Sequence, residues 1–313
     1  MNRIDKRFKK LNKEKKSAFI AYITAGYPNL SVTRDLILEL ERNGADIIEL
    51  GIPFSDPVAD GPVIQAASQA ALKNNISLDK VISLVRDIRK KSEIPLVFMT
   101  YYNPVYHFGV ERFVKTAAAA GVDGVIIPDL PPEEAKGLTA VSKRNNLANI
   151  FLAAPTSSTK RIKIISKVST GFIYYVSLTG TTGMRNKLPK EIRTNIHAIK
   201  KFTKKPVCIG FGVSNSAQAR DMAKLADGVI VGSAIVKTIE HNLGKRDLVK
   251  SVGIYIQGLS NAVHQKKTNK TACLRRYTCR RRRQALMACF QKKDTEIQPF
   301  FRRWQQKPSA GGI

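Results

Sequence analysis

Cysteine is scarce in this chain, and the little there is forms no framework. Four cysteines occur in 313 residues. Cys208 lies in an apolar, strand-like run and reads as a small buried hydrophobe. Cys273, Cys279 and Cys289 stand near the end at spacings that match no zinc site, and no histidine follows His264. An odd trio is also a poor set for disulfides. A reducing compartment follows, the cytoplasm is the expected location, and no metal site is expected.

Long apolar runs are missing as well. None reaches the roughly 18 residues that a bilayer-spanning helix needs. The run Ala18–Ala25 follows a basic stretch, Met1–Lys16, which superficially resembles a secretory leader. That stretch contains Asp5 and Glu14, and the run ends in Gly26-Tyr27-Pro28. A first helix and a first strand are expected there instead. No GxGxxG or GxxxxGK[ST] follows that strand, which removes the main support for an open nucleotide-binding sheet.

Acidic residues are few. The chain has 24 Asp/Glu against 53 Lys/Arg, a net charge of +29. Such an excess raises nucleic acid or an anionic membrane as partners. Its distribution argues otherwise. Fourteen of the Lys/Arg but only 2 of the Asp/Glu lie in the last 48 residues, from Lys266 onward. The remaining basic residues are dispersed over helical segments, where solvated faces explain them. The segment 265–313 holds an arginine run, Arg280–Arg283, and aromatics without period, and it reads as a basic, disordered or partly helical appendage of unknown role. Phe290, Phe300, Phe301 and Trp304 could stack on bases, so nucleic-acid binding through this tail is a rival reading. The tail contains no recognisable module, so neither nucleic acid nor membrane is the expected partner.

The region 1–264 is rich in short apolar runs: Ala18–Thr24, Ile47–Leu50, Leu96–Thr100, Gly124–Pro128, Ile150–Ala153, Phe172–Ser177, Val207–Gly210 and Gly228–Val231. They are continuous rather than alternating, as strands buried on both faces are. Helix signals separate them. Ser77 can cap a periodic run from Leu78, Pro131-Pro-Glu-Glu134 opens another helix, Ser157 and Ser158 precede a third, and Ser214 or Asn215 a fourth. Eight strand–helix alternations predict a (β/α)₈ TIM barrel, for which about 250 residues suffice.

In such a barrel chemistry sits at the C-terminal strand ends. Glu49 ends the second strand, flanked by Ile47, Ile48 and Leu50. Desolvation there favours a neutral carboxyl suited to proton transfer. A structural Glu paired with a lysine in a neighbouring layer would look the same in isolation. The next loop, Gly51–Pro62, is dense in Gly and Pro and carries Asp56 and Asp60, which could equally serve turns and caps. Gly180-Thr-Thr-Gly183, Gly210-Phe-Gly212 and Gly232-Ser233 follow the sixth, seventh and eighth strands, where barrels bind phosphate.

Together these residues resemble a known family, the tryptophan synthase alpha subunits. The likeness is carried by Glu49 with Pro53–Pro62, Thr24-Ala-Gly-Tyr-Pro28, Tyr102-Asn-Pro104, Pro128-Asp-Leu-Pro131, Ala154-Pro-Thr156 and the glycine loops, over residues 1–264. It implies retro-aldol cleavage of indole-3-glycerol phosphate to indole and glyceraldehyde 3-phosphate, without a cofactor in this chain. It implies catalytic roles for Glu49 and Asp60. Tyr22, Thr100, Tyr102, Asp129 and Tyr174 become indole-pocket or supporting positions, and Thr182 a lid residue that orders Asp60. Gly183, Gly212, Gly232 and Ser233 become phosphate ligands. The implied partner is a pyridoxal-phosphate beta subunit in an α₂β₂ assembly. A stand-alone lyase that releases indole would share all of these residues.

Overall fold

In the computed structural model, described over residues 1–176, 190–210 and 212–265, helices and parallel strands alternate throughout. The elements are α1 (Arg3–Glu14), β1 (Ala18–Thr24), α2 (Leu30–Arg42), β2 (Ile47–Gly51), α3 (Pro62–Leu72), α4 (Leu78–Arg89), β3 (Leu96–Met99), α5 (Tyr102–Phe108), α6 (Val110–Ala120) and β4 (Gly124–Ile126). They continue as α7 (Lys136–Arg144), β5 (Ala148–Ile150), β6 (Leu152–Ala153), α8 (Thr159–Val168), β7 (Ile173–Val176), α9 (Lys190–Lys200), β8 (Val207–Gly210), α10 (Ser216–Ala223), β9 (Gly228–Val231), α11 (Ser233–Glu240) and α12 (Leu248–Val263). Thr182, Gly183 and the segment from Lys266 onward lie outside the described residues.

The sheet order is β5-β4-β3-β2-β1-β9-β8-β7-β6, parallel at every pairing. Its two end segments, β5 and β6, are halves of one strand position on either side of Phe151. The Phe151 carbonyl accepts the Tyr174 N–H at 3.1 Å. The list therefore closes on itself, giving the expected eight-position barrel. Inward-facing Ile20, Ile47, Val97, Ile126 and Ile230 fill its centre. The alternate residues, such as Phe19, Ile48, Phe98 and Val229, pack outward on the helices.

α1 belongs to the inner core, not to the outer ring. Its Ile4, Phe8 and Leu11 cluster with the barrel interior, and the Phe8 and Phe172 rings lie 5.9 Å apart. The basic N-terminal stretch is thus a plug with its apolar stripe turned inward. Ser77, Ser158 and Asn215 cap their helices through side-chain oxygens, as the sequence predicts. The segment Pro131–Glu134 does not open its helix. It forms a turn closed by the Glu134 N–H on the Pro131 carbonyl at 3.1 Å, and α7 starts only at Lys136. Pro132 pushes the residue before it out of the helical region, so the acids here lie before the helix and not in its first turn.

The strand starts are clipped by one repeated device. Asp46, Asp123 and Asp227 each donate a backbone N–H at 2.8 Å to the carbonyl of Phe19, Leu96 and Val207. The side chain of each aspartate then accepts the N–H of that same residue, at 2.6, 2.9 and 3.0 Å. Each carboxylate also holds one or two basic side chains. Arg7 and His264 bind Asp46, Arg3 and Arg89 bind Asp123, and Lys200 binds Asp227. The plug and the end of α12 are thereby tied to the N-terminal mouth. Among the described residues no helix is long and apolar enough to cross a membrane.

Candidate active site

At the opposite mouth, β2 reads Ile47-Ile-Glu-Leu-Gly51. Alternation points Ile47, Glu49 and Gly51 into the barrel and Ile48 and Leu50 outward. Glu49 lies in register between Tyr22 of β1 and Val97 of β3. Its side chain is buried, at 1 % exposure, and neither Oε1 nor Oε2 has a hydrogen-bond partner. The structural alternative of a lysine-paired glutamate is therefore not what the strand holds. Burial pushes the Glu49 carboxyl up to about 8, and the charge of Asp60 adds to that shift.

Two glycines make room above this level. A Cβ on Gly51 would strike the Tyr22 ring, and one on Gly210 would come within 2.6 Å of the Tyr174 hydroxyl. The aromatic side chains of Tyr22 and Tyr174 occupy the space those glycines leave, close to Glu49. Both phenols are held far above their ordinary range by burial first. The charges of Glu49 and Asp60 raise each of them further.

Asp60 sits on the loop between β2 and α3. Burial pushes its carboxyl up to about 6, and a hydrogen bond from Tyr101 opposes that shift. The loop is fixed at several points. Val58 N–H donates to the Asp56 carbonyl at 2.9 Å, Asp60 N–H to Pro57 at 3.0 Å, and Gln65 Nε2 to the Asp60 carbonyl at 2.8 Å. The Ala59 N–H donates to the Tyr101 hydroxyl at 3.0 Å, and the Tyr101 ring packs on Phe54 at 5.4 Å. Asp56 is exposed and accepts the Ser55 hydroxyl at 2.5 Å, a turn contact.

Tyr101 is a site residue that the sequence reading missed. A tyrosine at the end of a hydrophobic strand looks like core, and only its hydroxyl contacts separate it from core. Tyr22, Glu49, Asp60, Tyr101 and Tyr174 share one electrostatic neighbourhood, each acting on or acted on by at least one of the others. Thr100 is buried beside them and continues the β3–β4 ladder through its N–H on Ile126, at 3.0 Å. Tyr102 and Asp129 adjoin this group, the charge of Asp129 acting on Tyr101. Both Asp129 oxygens accept the Tyr102 N–H, at 3.0 and 3.1 Å, at the start of α5, so Asp129 works as a capping carboxylate.

After β9, which pairs with β1, Gly232 is the N-cap of α11 without a side-chain cap bond, and exposed Ser233 is its first residue. The first-turn N–H groups of a helix have no carbonyl within the helix, and its dipole favours an anion there. A Cβ on Gly232 would lie 3.4 Å from Tyr22 Cβ, so this helix start adjoins the tyrosine that flanks Glu49. Gly212 is exposed at φ +34°, with open space where a side chain would be. Among the described residues no group of three or more His, Cys, Asp and Glu could hold a metal.

A sequence model of the family described as tryptophan synthase alpha chain matches residues 8–264. The tryptophan synthase alpha chain of Geotalea daltonii is 51% identical over 245 residues, covering 78% of this chain and 93% of that one. That of Geotalea uraniireducens is 47% identical over 263 residues, covering 84% and 98%. Among solved structures, the alpha subunit from Legionella pneumophila superposes with a TM-score of 0.79 at 41% identity, covering 84% of this chain and 98% of that one. A tryptophan synthase from M. tuberculosis superposes with a TM-score of 0.76 at 33% identity, covering 84% and 99%.

Proposed function

The chain belongs to the tryptophan synthase alpha chain family, and from that premise we propose how its own residues carry the family's reaction. It is a carbon–carbon lyase of tryptophan biosynthesis that cleaves indole-3-glycerol phosphate to indole and glyceraldehyde 3-phosphate. It works with a beta subunit in an α₂β₂ assembly. We place it in the cytoplasm, a reading supported by cysteines spaced without a disulfide framework. We treat residues 265–313 as a basic tail distinct from the barrel region 1–264, a division supported by the family match ending at residue 264.

The observation that carries the mechanism is Glu49, buried at a C-terminal strand end with both oxygens unbonded. With its carboxyl pushed to about 8 and that of Asp60 to about 6, the pair divides between pH 6 and 8. Glu49 is then the acid and Asp60 the anion, two carboxyls whose environments set separate roles.

Cleavage needs the indole carbon that bears the side chain to accept a proton, because the ring leaves with the bonding electron pair. The Glu49 carboxyl delivers that proton to ring C3. Positive charge develops on the ring nitrogen, and the Asp60 carboxylate accepts the indole N–H and stabilises that charge. The resulting Glu49 carboxylate takes the proton from the hydroxyl on the adjacent side-chain carbon. That oxygen's electrons form the aldehyde as the C–C bond breaks, and its electrons restore the indole. One proton enters and one leaves, so Glu49 ends as it began.

Tyr22 and Tyr174 flank the ring and keep water from Glu49. Gly212, Gly232 and Ser233 hold the phosphate against the start of α11. Thr100, and Tyr102 with Asp129, support the pocket wall from β3 and α5. Gly183 as a further phosphate ligand and Thr182 as the residue ordering Asp60 remain part of this reading.

The test is indole release from indole-3-glycerol phosphate by Glu49→Gln with a beta subunit present. The expected loss is about 10²–10⁴-fold or more, typical of removing a general acid–base, with the fold intact. Wild-type turnover in a folded variant would sink the mechanism.

A further inference from the structure

Gln65 is half-buried and is the fourth residue of α3. One position earlier, a capping-box side chain would reach back to the N-cap N–H. Here Gln65 Nε2 donates instead to the carbonyl of Asp60, at 2.8 Å, one residue before the helix N-cap Gly61. A carbonyl only accepts, so the amide N–H₂ end must face it. The helix gains no satisfied N–H from this contact. What it fixes is the peptide plane that follows Asp60, and with it the direction of that residue.

Tyr101 fixes the same stretch from the other side. Its hydroxyl accepts the Ala59 N–H at 3.0 Å and hydrogen-bonds the Asp60 carboxyl. The carboxylate is thus set from α3 through the backbone and from the end of β3 through its side chain. Gln65 sits on α3 and Tyr101 is the N-cap residue of α5, so both anchors are held at helix starts.

We propose that Gln65 is a positioning residue for the lyase reaction, aligning the Asp60 carboxylate on the indole N–H by holding the Asp60 carbonyl. The inference rests on the role given to Asp60 above. Charge on the ring nitrogen builds as C3 is protonated and persists until the C–C bond breaks, so misalignment weakens the transition state more than the bound substrate. Gln65 acts on kcat more than on KM and touches no reacting atom itself.

The experiment is a double-mutant cycle in the assembly with a beta subunit, read as kcat and KM for indole-3-glycerol phosphate. Gln65→Met removes the donor while keeping an unbranched side chain of similar helix propensity. Losing one such hydrogen bond predicts a kcat about five- to tenfold lower with KM changed less. Asp60→Asn alone loses about 10²–10³-fold. In the Asp60→Asn background, Gln65→Met has no further effect beyond about twofold, because coupled residues do not add.

An equal five- to tenfold loss in both backgrounds, or no loss in the parent chain, overturns the positioning role and leaves Asp60 catalytic. Undiminished turnover in Asp60→Asn overturns the role of Asp60 and that of Gln65 with it. Should Gln65→Met be poorly folded by circular dichroism, Gln65→Leu is taken through the same cycle with the same expected outcomes.

Discussion

At the N-terminal mouth of the barrel Asp46 is fully buried and accepts the Phe19 N–H, Arg7 and His264, whereas at the C-terminal mouth Glu49 is equally buried and accepts nothing. The first arrangement meets the rule that buried charges are paired and hydrogen-bonded. It recurs at Asp123 and Asp227, each clipping a strand start and each joined by basic side chains. The second arrangement breaks the rule. A carboxyl that no group compensates avoids the cost by staying protonated, and a protonated carboxyl near neutral pH is a proton donor. The same residue chemistry thus stabilises one end of the barrel and equips the other.

This contrast can be broken most strongly from the stabilising side. Asp46→Ala leaves Arg7, His264 and the Phe19 N–H without their shared acceptor. Loss of one partner of a buried charge pair costs about 3–5 kcal/mol, which a urea melt would read. Turnover per folded molecule should stay near wild type. A specific loss of turnover at unchanged stability would contradict the division between the two ends.

From the functional side the sign reverses. Folding raises the Glu49 carboxyl from 4.5 to about 8. Its contribution to stability is complete below the unfolded value and is lost as pH rises through about 8. At pH 9 the wild type carries a buried, unpaired charge that Glu49→Gln lacks. The variant should then be more stable by ~1–4 kcal/mol, a gain that vanishes near pH 5. Paired melts at the two pH values check this, and a variant less stable than wild type at pH 9 would remove the premise.

Tyr101→Phe is the smallest of these changes. It deletes the hydroxyl that holds Ala59 and Asp60, so kcat/KM should fall about tenfold, the equivalent of one lost hydrogen bond to a charged group. That bond lowers the Asp60 carboxyl, so the acid limb of the rate profile should also move upward from about 6. An unmoved limb would mean that Tyr101 serves packing alone.

The barrel was legible because strands buried on both faces leave continuous apolar runs, and all eight positions stand where such runs occur. The fifth apolar run begins only at Ile150, because polar Asn149 interrupts a strand that already pairs at Ala148. Glu49 and the Asp60 loop were legible from residue type and position. The clip at the strand starts was not, since a single aspartate before a strand reads as a turn residue. Its signal was repetition, Ala45-Asp46, Val122-Asp123 and Ala226-Asp227, each before a strand. Tyr101 and Gln65 were hidden for another reason. Their contribution is a direction of one polar atom, which composition and periodicity do not record.

Burial without a partner holds Glu49 neutral at working pH. Isotope-edited infrared spectroscopy of the free chain, with the Glu49 carbonyl band identified by its absence in Glu49→Gln, measures this directly. The expected result is a protonated carboxyl at pH 7 that titrates with a midpoint of about 8. A carboxylate already ionised at pH 7, with its midpoint near the ordinary value of 4.5, would contradict it.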